Sequence, residues 1–157
     1  MGEVGKPIIN MSMQKFVVFA DGGARGNPGQ AAVGIVIKDA KGAVLKKYSQ
    51  FLGKKTNNEA EYEAVIFGLK KIKQLIGKAK TQKAEIEFRL DSELVGRQLE
   101  GEYKIEEERL FPLFIKIWNL KMDFGKVFFS LVPREKNREA DVLVNQELDQ
   151  KEQGRMF

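Results

Sequence analysis

The 157-residue chain contains neither cysteine nor histidine. Without cysteine there is no disulfide framework, no thiolate zinc site and no thiol nucleophile. Without histidine there is no imidazole general base, which excludes Ser-His-Asp and Cys-His catalysis along with imidazole metal ligands. Any chemistry has to run on carboxylates, lysine, hydroxyls or a bound metal. Long apolar runs are missing too. The first fifteen residues offer only Pro7-Ile8-Ile9, too short for a signal peptide or a membrane span, and the expectation is a cytoplasmic protein with no membrane partner. Low-complexity tracts, internal repeats and linkers are absent, and the length suits one hydrophobic core. The organisation expected is a flexible N-terminal extension over residues 1–14, one domain over 15–150 and a polar C-terminal tail over 151–157.

Basic residues are plentiful: 27 lysines and arginines stand against 22 acids, a net charge of +5 with a pI near 9.3. That balance suits a polyanionic partner, although mild basicity alone is weak support for one. Along the chain, Phe16-Val17-Val18-Phe19-Ala20 reads as a buried strand that ends at Asp21 and the glycine-rich turn Gly22 to Gly29. Ala31 to Lys38 and Ala43 to Leu52 complete a meander around the Lys41-Gly42 turn. Thr56-Asn57-Asn58 supplies capping side chains for a helix from Glu59 to Ile76. Ala84 to Leu90 alternates apolar and charged residues as a strand does and stops at Asp91. Ser92 to Leu99 and Leu110 to Leu120 read as helices, Val127 to Val132 as the last strand, and Asn137 as the cap of a closing helix through about Asp149. This order of mixed strands and helices predicts an α/β fold with a layered sheet and helices on its faces.

Four acids fall where solvated acids are not expected. Asp21 and Asp91 end strands that read as buried. At about 100° per residue, Glu61 lies on the helical stripe of Ala64, Val65, Gly68, Leu69 and Ile72, whereas Glu59 and Glu63 face away. Asp141 sits one turn inside the closing helix. Each has an ordinary alternative: a turn residue at Asp21, a dipole-stabilised first-turn acid at Glu61 or Asp141, an N-cap at Asp91. If the first and fourth strands are adjacent and parallel, Asp21 and Asp91 meet at one sheet end, the usual ligand position in an open α/β sheet. Converging carboxylates repel one another unless cations neutralise them. With oxygen ligands only, Mg²⁺ or Mn²⁺ is favoured, and two such ions suit in-line hydrolysis of a phosphodiester.

The runs Asp21 to Gly29, Thr56-Asn57-Asn58-Glu59-Ala60-Glu61, Leu90-Asp91-Ser92 and Val132-Pro133-Arg134-Glu135 to Ala140-Asp141 resemble ribonuclease H type I, over roughly Phe16 to Asp149. The resemblance implies a three-layer fold around a five-stranded mixed sheet, with the first three strands antiparallel and strands 1, 4 and 5 parallel. It implies cleavage of the RNA strand of RNA–DNA hybrids with two Mg²⁺ or Mn²⁺ ions held by Asp21, Glu61, Asp91 and Asp141, Asp21 bridging both. Gly26, Asn27, Asn57, Asn58 and Ser92 would line the minor groove and the scissile strand, where amides can pair with 2′-hydroxyls. A monomer is expected. The contrasting reading is an inactive nucleic-acid-binding relative, against which all four acids being present counts.

Two departures from the family pattern stand out. Many members carry a histidine in the loop before the last acid, and here that loop is Arg134-Glu135-Lys136-Asn137. Many also insert a basic handle between the middle helices, where this chain has the short acidic stretch Glu100 to Glu108. Variants without either feature resemble a subgroup associated with cleavage of double-stranded RNA. Substrate affinity would then come from Lys46, Lys47, Lys54 and Lys55, or from Lys70, Lys71 and Lys73.

Overall fold

A computed structural model describes residues 13–155. The expected extension over residues 1–14 therefore lies almost wholly outside the described residues. Gln14 already opens the first strand. That strand, β1 (Gln14–Gly26), is followed by β2 (Gly29–Asp39), β3 (Val44–Lys55), α1 (Asn57–Ile76), the single turn α2 (Lys78–Thr81), β4 (Ala84–Leu90), α3 (Glu93–Leu99), α4 (Phe111–Lys121), β5 (Lys126–Leu131) and α5 (Arg138–Arg155). The five strands form one sheet in the order β3-β2-β1-β4-β5. The β1–β2 and β2–β3 pairs are antiparallel, and β1–β4 and β4–β5 are parallel. This is the expected mixed sheet.

Period-two alternation sends the two sides of β1 into different cores. Phe16, Val18 and Ala20 join Ile35, Ile37, Ile86 and Phe88 beneath Val65, Leu69 and Ile72 of α1. Val17 and Phe19 face the other way, toward Val36 and Ala140 at the start of α5. Helices thus cover both faces, which is why the central strand can be apolar on both sides. Among the described residues no helix is long and apolar enough to cross a membrane.

The structure departs from the sequence expectation in three elements. β1 does not stop at Asp21 but continues through the glycines to Gly26, because β2 keeps offering ladder partners, with Asp21 opposite Gly34 and Gly26 opposite Gly29. Helix α1 begins at Asn57 rather than Glu59, because of the three capping candidates it is Thr56 that caps it. The Thr56 hydroxyl accepts from the Glu59 amide and the Glu59 carboxylate accepts from the Thr56 amide, a complete capping box. Helix α5 runs on to Arg155 instead of ending near Asp149. Its outer turns are held by Arg25 of β1, which donates to Asn145 at 3.0 Å and pairs with Asp149 and Glu152 at 2.8 Å each.

Candidate functional site

The parallel β1–β4 register runs from Gln14 opposite Ala84 to Phe19 opposite Arg89 and then opens. Two residues further on, Asp21 and Asp91 face each other across the mouth of the sheet, as adjacency of these strands requires. Beyond this point β1 pairs only with β2, so the β4 side is left as a crevice. Two glycines let helices close on it. A Cβ on Gly22 would lie 2.0 Å from the Ala60 carbonyl oxygen, and one on Gly34 would lie 2.6 Å from that of Ala140. Only hydrogen in these positions allows α1 to bring Glu61, and α5 to bring Asp141, to the strand carrying Asp21.

Carboxylate oxygens of Asp21, Glu61 and Asp91 all lie within 4.8 Å of one another. Asp141 stands just outside that triangle and lines the same 440 Å³ cleft, together with Asn57, Arg134 and Asn145. Burial pushes the Asp21 carboxyl up to about 8, and the charges of Asp91 and Asp141 add to the effect while Arg134 opposes it. Glu61 is likewise held well above the ordinary carboxylate range, by burial first and then by Asp21 and Asp91. Three close carboxyls with oxygen donors only form the donor set of a hard divalent cation, and such a charge is what would let Asp21 and Glu61 ionise. The residues present fit that group.

The carboxyls are held in place by neighbours. The Gly22 amide donates to Glu61 Oε1 at 3.3 Å. Asn137 donates its side-chain amide to the Ala20 carbonyl at 2.9 Å and to Asp91 Oδ2 at 3.2 Å. That corrects its expected role as a helix cap, since its own Oδ1 is buried without a partner. No local pattern points to this bridge, because its partners lie 117 and 46 residues away. Arg134, in the loop where many family members carry a histidine, lines the cleft wall.

Of the residues expected to touch substrate, Asn57 lines the cleft, and the others make contacts of their own. Asn57 accepts from the Ala24 amide at 2.9 Å, and Asn27 accepts from the Asn57 amide at 3.0 Å, which laces the β1–β2 hairpin to the start of α1. Gly26, with φ +104°, makes the hairpin end that sets Asn27 there. Asn58 and Ser92 are committed elsewhere. The Asn58 amide donates to Glu107 at 2.8 Å, and the Ser92 hydroxyl accepts from Val95 as the cap of α3. The acidic stretch is used rather than idle: Glu100 accepts from the Phe129 amide at 2.7 Å and Glu102 pairs with Arg97 at 2.8 Å.

Comparison with known proteins bears on this geometry. The family described as "Reverse transcriptase-like" matches residues 19–147. A bifunctional protein of Mycobacterium tuberculosis is 37% identical over 136 residues, which is 86% of this chain and 36% of that relative. The chain thus spans about a third of that relative's length. Ribonuclease HI of Halobacterium salinarum is 36% identical over 131 residues, 83% of this chain and 63% of the relative. The solved structure of LC11-RNase H1 in complex with an RNA/DNA hybrid superposes with a TM-score of 0.82 at 44% identity, covering 87% of this chain and 98% of that one.

Proposed function

The chain belongs to the ribonuclease H type I family, and we propose that it is a divalent-metal-dependent endoribonuclease that hydrolyses the RNA strand of RNA–DNA hybrids. The observation carrying this reading is the convergence of Asp21, Glu61 and Asp91 within 4.8 Å at the mouth of the sheet, with Asp141 on the same cleft. These four side chains would hold two Mg²⁺ or Mn²⁺ ions, which would supply charge stabilisation for an attacking water and for the departing 3′-oxygen.

The chain's own groups do the rest. The Gly22 amide and the Asn137 amide fix Glu61 and Asp91 so that their free oxygens face the cleft. Arg134 favours the ionised forms of Asp21 and Glu61 and offers a permanent positive charge beside the scissile phosphate. A guanidinium does not titrate, so it orients without shuttling protons. With no histidine in the loop, protons pass to water; Glu135 lines an adjoining hollow with Arg134, Arg138 and Asp141. Asn57 and Asn27 stiffen the hairpin against α1, leaving the Asn27 and Asn57 region to meet 2′-hydroxyls in the minor groove.

The test is cleavage of end-labelled RNA–DNA hybrid, double-stranded RNA and double-stranded DNA with Mg²⁺ and with Mn²⁺. The expected result is fragmentation of the hybrid's RNA strand with 5′-phosphate ends, and loss of turnover by more than about 10³-fold in Asp21→Asn. An RNA strand left intact at high enzyme with either metal, or normal cutting by Asp21→Asn, rules the reading out.

A further inference from the structure

The carboxylate cleft does not end at Asp141. A second hollow of 280 Å³, lined by Arg134, Glu135, Arg138 and Asp141, shares Arg134 and Asp141 with it. Arg138 opens α5 three residues before Asp141, a spacing that puts the two side chains on one side of the helix, about 5–6 Å apart at Cβ. A strand held at the carboxylates and leaving over Asp141 therefore enters the hollow lined by Arg134 and Arg138.

This hollow differs from its surroundings in having positive charge that no neighbour uses. Nearby cations are paired: Arg25 with Asp149 and Glu152 at 2.8 Å each, Lys38 and Lys47 with Glu139 at 3.4 and 3.3 Å, and Arg89 with Glu87 at 3.1 Å. Arg134 and Arg138 are exposed, and among the described residues neither has a carboxylate within the 4.0 Å of an ion pair. Glu135 and Asp141 line the same hollow yet stay beyond that reach. A guanidinium is planar, permanently charged and weakly hydrated, and its fork of donors matches a phosphate. The opposite end of the cleft, at Arg25 and Asn145, has no such unspent charge, because two acids already neutralise Arg25.

We propose that Arg138 holds the phosphate next to the scissile one, on the Asp141 side of the cleft, and so sets the register of the strand over the carboxylates. The proposal rests on the nuclease reading and adds a demand to it: the substrate needs a charged linkage on one flank of the cut and not on the other. Glu135 opposes the contact from within the same hollow, so neutralising it strengthens the grip on that phosphate.

The experiment is cleavage, by subsaturating full-length enzyme, of a hybrid whose chimeric strand carries a few ribonucleotides to fix the cut. A neutral methylphosphonate replaces each flanking linkage in turn, behind a 2′-deoxy sugar, and a strand with the same sugar and an ordinary phosphate is the reference. The expected result is one flank at which neutralisation slows the parent about tenfold and slows Arg138→Ala by less than about twofold, the variant having already lost a similar factor on the reference strand. Arg138→Lys should recover part of that loss, and Glu135→Gln should cut the reference strand faster than the parent. Lys136→Ala removes a cation of the same loop that lines neither hollow, and it should keep the parent's sensitivity. The proposal is overturned if Arg138→Ala matches the parent on the reference strand, or if the losses from variant and neutral linkage multiply at both flanks. It is equally overturned if Lys136→Ala becomes as insensitive as Arg138→Ala, which would make the effect one of diffuse charge. A parent that leaves the reference strand whole overturns the nuclease reading itself, and this proposal with it.

Discussion

At the scale of one residue, Asp21 is both the centre of the proposed chemistry and a cost to the fold. Its carboxyl is 8% exposed and is pushed up to about 8 from 3.8. Between those values the folded chain keeps a proton that the unfolded chain has released, so stability of the metal-free protein is full below about pH 4 and is lost as pH rises through 8. Thermal melts in chelator should therefore show Tm falling from pH 5 to pH 8.5. Asp21→Asn, which stays neutral, should melt several degrees higher than the parent at pH 8 and nearly level with it near pH 4. Saturating Mn²⁺ should raise the parent's Tm at pH 8 and do much less for the variant. Identical pH profiles for the two proteins would show that the carboxyl is not strained as described. The acid proposed to hold metal is then the same group that destabilises the empty fold, a trade familiar at functional sites.

At the scale of elements, what was legible in the sequence depended on whether the signal was local. Ala84, Ile86, Phe88 and Leu90 are all buried to 1% or less, as their alternation requires, and the position of Asp91 followed from where that pattern stops. The Glu61 stripe was local too, although it missed the buried Tyr62 and Ile66. The glycines after Asp21 pointed to a turn, and only the distant partner β2 makes them strand. Asn137 pointed to a cap, and only Ala20 and Asp91 make it a bridge. The outer turns of α5 depend on Arg25, more than a hundred residues earlier. The same distinction gives a test of how the site is assembled. In Gly34→Ala the new methyl would sit 2.6 Å from the Ala140 carbonyl and 2.8 Å from Leu143 Cβ, so α5 must move and take Asp141 with it. The expected outcome is a loss of about 1–3 kcal/mol in chemical denaturation and a fall in kcat of about 10- to 100-fold with little change in hybrid binding. Gly154→Ala, in open space on the same helix, should leave kcat alone and change stability by about 0.5 kcal/mol or less in the favourable direction. If Gly34→Ala kept full kcat, close approach of α5 at Gly34 would not be what places Asp141.

At the scale of the whole molecule, a net charge of +5 matters less than where its unspent part lies relative to the cleft. Of the lysines that could steer a phosphate backbone, Lys47 is paired with Glu139 at 3.3 Å, Lys55 with Glu63 at 3.8 Å and Lys73 with Asp123 at 2.7 Å, and Lys71 lies over the Tyr48 and Phe67 rings. Lys54 is exposed and sits opposite Gln30 on β3, at the hairpin end of the sheet where Gly26, Asn27 and Asn57 gather. Lys70 is equally exposed but projects from the later turns of α1, away from that end. Counterion release makes each phosphate contact worth close to one unit of the slope of log K against log salt. Lys54→Ala should therefore weaken hybrid binding and reduce that slope by about 1, uniformly across sequences, whereas Lys70→Ala should leave both unchanged. Fluorescence anisotropy with a labelled hybrid in Ca²⁺, read from low to moderate salt, measures the slope directly. Equal effects at the two lysines would mean that affinity comes from diffuse positive charge, and that the hairpin end of the sheet has no special part in holding the backbone.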